Sequence, residues 1–125
     1  MLKESDIIET SIAIQKMTKD REEVMKYDGE KPRMDLLDPK FLEDVAKVLT
    51  FGAKKYAPNR WRKGIEVSRL IAATMRHINA ISSGEDNDLE TGLPHAAHAA
   101  CEIMFLNWML ANRKDLDDRY IHDKA

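Results

Sequence analysis

The chain has 125 residues, 43% hydrophobic and 34% charged, which is the balance of one soluble domain with a single modest core. A formal charge of −2 gives no global electrostatic reason to bind nucleic acid or an anionic membrane, and the lone cysteine, Cys101, excludes an intramolecular disulfide framework. The N-terminal stretch is acidic at once, with no apolar core of signal-peptide length, and the longest apolar run, near residues 96–111, is interrupted by His98, Glu102 and Asn107; a cytoplasmic protein that does not span a membrane is expected.

With 5 Gly, 4 Pro and few β-branched runs, the sequence favours helix over sheet. The expected fold is all-α: a small bundle of about four helices, completed by oligomerisation. It forms one domain over residues 1–125, with an N-terminal helix or arm over 1–26 and a polar tail over 114–125.

A first helix is expected from about Ser5 to Met25. Ser5 can cap it, and Ile7, Ile8, Ile12, Met17 and Val24 recur at roughly helical spacing. Its apolar stripe is thin and suits packing against a partner subunit or along the bundle; a solvated arm is the alternative. Residues 26–39 carry turn chemistry at Asp28-Gly29 and Lys31-Pro32. In this loop Lys31 and Arg33 are either solvated or able to reach a phosphate, whose oxygens match an arginine fork.

The second helix starts at Asp38-Pro39, with Asp as cap and Pro in the first turn, and runs to about Tyr56. Phe41, Leu42, Val45, Val48, Leu49 and Ala53 form its apolar face. Beyond it, Lys54, Lys55, Arg60, Arg62 and Lys63 are interleaved with Tyr56 and Trp61. That mix suits a ring over a nucleobase and cations for its phosphates, or equally a Trp that caps the core among solvated cations.

The third helix is expected from about Ser68 to Ser82, with Leu70, Ile71, Ala73, Thr74, Ile78 and Ile81 on its core side. His77 lies between Ala73 and Ile81 on the i±4 row. An acidic loop over 83–92 follows, bracketed by Gly84 and Gly92 and carrying Glu85, Asp86, Asp88 and Glu90. It does not match a calcium-binding EF-hand loop. Pro94 opens the last helix, which extends to about Arg113 and is apolar enough to be buried on most sides. His95, His98 and Glu102 then share one face at i, i+3 and i+7.

Three of the four histidines and a cluster of carboxylates therefore lie within residues 75–102. Imidazoles near a helix N-terminus are held neutral, the form that binds metal. Carboxylates beside them bias the site toward Mg²⁺ or Mn²⁺ over structural zinc. His77, Glu85, Asp88, His95 and His98 are the candidate ligands, and Glu85 or Glu102 the candidate acceptor of a proton from water. Beside a basic aromatic cluster, such an ion would act on a phosphate ester or anhydride.

Lys31-Pro32-Arg33, Leu36-Leu37, Phe51-Gly52-Ala53-Lys54-Lys55-Tyr56, Asn59, Trp61, Gly64, Arg76-His77, Gly84-Glu85, Asp88, Gly92, His95 and His98 together resemble the phage-type dATP/dGTP diphosphohydrolase family, a branch of the MazG-like all-α nucleotide pyrophosphohydrolases. The resemblance covers about Tyr27 to Leu106. It implies a helical homodimer or homotetramer, Mg²⁺ or Mn²⁺ dependence, and cleavage of dGTP or dATP to monophosphate and pyrophosphate in a phage or prophage setting. By the same matching, Lys31, Arg33, Lys54, Lys55, Tyr56, Asn59, Trp61 and Arg76 contact the triphosphate and base. The MazG-like Glu-x-x-Glu and Glu-x-x-Asp pairs are missing: Thr74 and His77 stand in the first place, His98 and Glu102 in the second. The metal shell must differ accordingly. Two other readings are open: an HD-type phosphatase, disfavoured because no His-Asp doublet lies in a helix, and a non-enzymatic helical module that touches nucleic acid through residues 60–63.

Overall fold

The computed structural model describes residues 3–4, 7–17 and 29–121. They fall into two units that divide after Leu36. In the first unit residues 7–17 are helical (α1), and Ile7, Ile8, Ile12, Ile14 and Met17 are exposed on it. The expected cap Ser5 and the positions 18–28, including Val24, lie outside the described residues. A short 3-10 turn over Met34–Leu36 ends this unit.

The second unit holds α2 (Pro39–Lys55), α3 (Val67–Ser82) and α4 (His95–Asn112), with a 3-10 turn over Arg60–Lys63 and another over Lys114–Leu116. Among the described residues there is no strand, so the all-α expectation holds. The starts and stops follow from local chemistry. Asp38 Oδ2 accepts the Phe41 amide at 3.1 Å, and Pro39, which has no amide to leave unsatisfied, fills the first turn. α3 stops at Ser83 because Gly84 turns left-handed (φ 97°) and donates its amide to the Ile81 carbonyl at 2.9 Å.

α4 is the central helix, packed most extensively on α3 and also on α2. Val48, Ala97 and Cys101 form one buried cluster between α2 and α4. Val67, Leu70 and Met109 form a second between α3 and α4. Phe105 packs on both and joins them into one core. Burying Leu70 and Met109 almost completely stabilises the unit by about 1.5–3 kcal/mol per side chain.

The first turn of α3 is closed by a residue far away in sequence. Its own cap position, Glu66, makes no side-chain bond. Asp118 instead accepts the Ser68 amide at 2.8 Å and also the Ser68 hydroxyl. The same C-terminal segment is tied down by Arg113, which donates to the Lys63 carbonyl at 3.0 Å. Gly64 (φ 116°) lies beneath it; a Cβ there would stand 2.7 Å from Leu116 Cδ1. The first residues of the polar tail, as far as Asp118, thus pack on the start of α3 and the turn before it.

Three packing expectations are corrected. Ile78 and Ile81 are exposed, because α3 turns only its Leu70 and His77 side toward α4. Ile103, Met104 and Leu110 are exposed on α4, so that helix is not covered on most sides. Phe41 and Leu42 are exposed at the start of α2, and only Val48 of its apolar face is fully buried.

Candidate active site

The loop from Ser83 to Pro94 is rigid for reasons that centre on Asp88. Its Oδ1 accepts the amides of Glu90 and Thr91, both at 2.9 Å, and lies 3.3 Å from the Thr91 hydroxyl. Its backbone carbonyl accepts the Gly92 amide at 2.8 Å, and its amide donates to the Leu93 carbonyl at 2.8 Å. A single antiparallel bridge joins Asn87 to Pro94, and the His95 amide donates to the Asp86 carbonyl at 2.9 Å. An Asp followed three residues later by Thr is a self-closing turn. It fixes one carboxylate oxygen and leaves the other for a partner.

Against this loop stand the three histidines. His95, the first residue of α4, is buried, and its Nδ1 lies 2.9 Å from Nδ1 of His77 on α3. One ligand atom each from His77, Asp88 and His95 lie within 4.8 Å of one another. His98, one turn along α4, stacks on His77 with ring centroids 4.8 Å apart and planes tilted 12°. Its Nε2 lies 2.7 Å from Thr91 Oγ1. The far nitrogen of His95, Nε2, is buried without a hydrogen-bond partner, and the nearest carboxylate oxygen, Glu85 Oε2, is 3.5 Å away.

The electrostatics favour neutral imidazoles. Burial lowers the His77 pKa below the usual histidine value, and the neighbouring His98 and His95 lower it further. Burial also lowers that of His98, against the pull of Asp88. For Asp88 itself, burial pushes upward, but the amides of Thr91 and Glu90 outweigh it and keep the carboxylate ionised. A neutral imidazole at His77 beside the Asp88 anion is a donor pair that suits a divalent cation.

A cavity of ≈ 1400 Å³ runs from this cluster along α3 and α4 to the turn after α2. It is lined by His77, Asp88, His98 and Glu102 and by Lys55, Tyr56, Asn59, Trp61 and Arg76. Burial raises the pKa of Glu102, opposed by Arg76. Lys55 reaches across to Glu90 at 3.1 Å. Trp61 stacks on Phe105 (4.6 Å), meets Trp108 edge-on (5.4 Å) and carries the Arg62 guanidinium over its ring at 4.5 Å. It thus joins the core and lines the cavity at once. Asn59 takes the left-handed conformation that turns the chain, and its Oδ1 accepts from Arg62 Nε at 3.2 Å.

Glu85, Lys54 and the buried His95 are not among the residues that line the cavity. Lys31 and Arg33 belong to the first unit, where Arg33 forks onto Asp35 at 2.9 and 2.7 Å. Cys101 is buried, with its thiol pushed up to about 12, so it is no nucleophile. Two participants escaped the sequence reading: Thr91, whose signal was the Asp88-x-x-Thr91 turn, and the Lys55–Glu90 pair, for which 35 residues of separation left no signal.

Comparison with known proteins bears on the same residues. Residues 21–119 match the family described as dATP/dGTP diphosphohydrolase, N-terminal. A protein of Salmonella phage PMBT28 named dATP/dGTP diphosphohydrolase is 45% identical over 95 residues, which is 76% of this chain and 32% of that protein. The chain thus spans about a third of the length of the curated relative it matches. No solved structure matches it.

Proposed function

The chain belongs to the dATP/dGTP diphosphohydrolase family, and from that we propose that it is a metal-dependent hydrolase of dGTP and dATP, releasing the monophosphate and pyrophosphate. The observation that carries this reading is the cavity whose lining brings His77, Asp88 and His98 together with cationic and aromatic side chains.

In this reading His77, Asp88 and His95 hold a divalent ion. The two Nδ1 atoms, 2.9 Å apart, can share at most one hydrogen-bonding proton. A carboxylate in the donor set supports Mg²⁺ or Mn²⁺ over structural zinc, which more often takes thiolates. Such an ion, when bound, supplies polarisation of a phosphoryl oxygen and neutralises phosphate charge.

The chain's own groups do the rest. Arg76 and Lys55 bind the phosphates, and Lys55 exchanges Glu90 for the substrate. Tyr56, Asn59 and Trp61 receive the base. Glu102 keeps a raised proton affinity in the cavity wall and takes the proton from the attacking water. Glu85 orients His95 from behind, as carboxylates do for metal-binding imidazoles. The working form is a homo-oligomer, supported by α4: it is apolar around its circumference, yet Ile103 is 51% exposed and Leu110, seven residues on, 36%.

The test is to incubate the protein with dGTP, dATP and the ribonucleotides, with Mg²⁺, Mn²⁺ or chelator, and to separate the products by ion-exchange chromatography. Pyrophosphate released only with metal is expected. Inorganic phosphate or triphosphate as product, or turnover in chelator, would refute the reading.

A further inference from the structure

Thr91 Oγ1 stands within reach of three polar groups, but it carries one proton. The Leu93 amide donates to it at 3.2 Å. His98 Nε2 is 2.7 Å away and Asp88 Oδ1 3.3 Å away. If Thr91 gave its proton to His98, its contact with Asp88 would be an oxygen facing a carboxylate oxygen with nothing between. If it gives the proton to Asp88, both of its lone pairs are filled, by the Leu93 amide and by a proton on His98 Nε2, and every contact carries a hydrogen. The second arrangement alone leaves no oxygen–oxygen contact without a hydrogen between.

We propose that Thr91 is a positioning residue: its hydroxyl, donating to Asp88, holds His98 as the Nε2–H tautomer and braces it against His77. Nδ1 is then the lone-pair nitrogen of His98, and Nε2 is not available to an ion. The His98 ring, fixed by this bond, backs the His77 ring at 4.8 Å and so keeps His77 Nδ1 aimed at His95. The same hydroxyl helps to keep Asp88 Oδ1 occupied. One side chain thereby aligns two of the three groups that would hold the ion. This rests on the metal reading above for its consequence, but the tautomer does not.

The test compares Thr91→Val, which keeps the shape and removes the hydroxyl, with Thr91→Ser, which keeps the hydroxyl. The first readout is the imidazole ¹⁵N spectrum of the metal-free protein at pH 8. Wild type and Thr91→Ser should show His98 protonated at Nε2 alone, and Thr91→Val a mixture in which the Nδ1–H form appears. The second is Mn²⁺ affinity of the substrate-free protein, measured from the paramagnetic resonance of unbound Mn²⁺. Thr91→Val should bind about 10- to 100-fold more weakly, and Thr91→Ser should restore binding. A wild-type His98 in the Nδ1–H form, or a tautomer and affinity unchanged in Thr91→Val, overturns the inference. Wild type that shows the Nε2–H tautomer and binds no Mn²⁺ upholds Thr91's hold on His98 and refutes the metal reading instead.

Discussion

In the proposed reading Asp88 does two jobs, closing its loop and binding the ion, that substitution can separate. Its Oδ1 is held by the amides of Glu90 and Thr91 at 2.9 Å each and by the Thr91 hydroxyl at 3.3 Å. Asp88→Asn retains an oxygen for those donors and loses only the charge assistance, a cost of about 1 kcal/mol. Asp88→Ala leaves all three donors without their acceptor, roughly 3 kcal/mol at about 1 kcal/mol each. Metal binding should respond differently. With free Mn²⁺ at 100 times the dissociation constant, the native state gains about 2.7 kcal/mol, and a 100-fold loss of affinity reduces that to about 0.4 kcal/mol. At ~4–8 °C per kcal/mol for a unit of this size, the wild-type midpoint should rise by roughly 10–20 °C on adding Mn²⁺. Under the same Mn²⁺ concentration Asp88→Asn should move by only about 2–3 °C, from a midpoint about 4–8 °C below that of wild type. Calorimetry of the three proteins with and without Mn²⁺ reads both effects. An Asp88→Asn protein that keeps the full Mn²⁺-dependent rise would show that its carboxylate is structural and that the ion, if there is one, is held elsewhere.

Other perturbations test the surrounding structure. Gly64→Ala combines a φ of 116° with a Cβ 2.7 Å from Leu116 Cδ1; it should destabilise by roughly 2–4 kcal/mol, and an unchanged denaturation midpoint would contradict the packing of the C-terminal segment. Lys55→Ala should raise KM for the nucleotide about tenfold or more with little effect on metal affinity, whereas Glu90→Gln, which weakens the competing ion pair, should lower KM; steady-state kinetics separate the two, and a Glu90→Gln enzyme with raised KM would refute the exchange. The depressed His77 and His98 pKa values mean that the unfolded chain takes up protons, near the ordinary value of 6.5, that the native state resists. Metal-free stability should be complete above that value and decline as pH falls from about 7 through the lower native values; His98→Gln should flatten the decline, and a midpoint constant between pH 7.5 and 5.5 would refute the assigned environments.

The helices of the second unit were legible because their boundaries are local. Asp38-Pro39 and Gly84 act within a turn, and the expected limits differ from the observed ones by a residue or so. The face shared by His95, His98 and Glu102 was legible too, since helical spacing alone sets it, and both histidines meet His77 of α3. How the imidazoles divide their tasks was not. His95 is buried against His77 and His98 is turned to Thr91 because the loop closes through Asp86 and Asp88 backbone bonds, and such closure leaves no periodic trace. Nor could the sequence show that Asp118 caps α3 from 50 residues away. The apolar sides of α2, α3 and α4 were read as core because amphipathicity reports that a face seeks cover without saying whether this unit supplies it; Ile78 and Ile103 are where it does not.

The chain's two tryptophans sit edge to face in one cluster, and one of them, Trp61, also forms part of the cavity wall. Intrinsic fluorescence is therefore an optical gauge for this site, requiring no label. In the proposed reading, a purine that takes the place of the Arg62 guanidinium over Trp61 would quench its emission, and the response would pass to Trp108 by energy transfer over the 5.4 Å between rings. Nucleotide entry can then be timed by stopped flow apart from hydrolysis, in chelator as well as in metal.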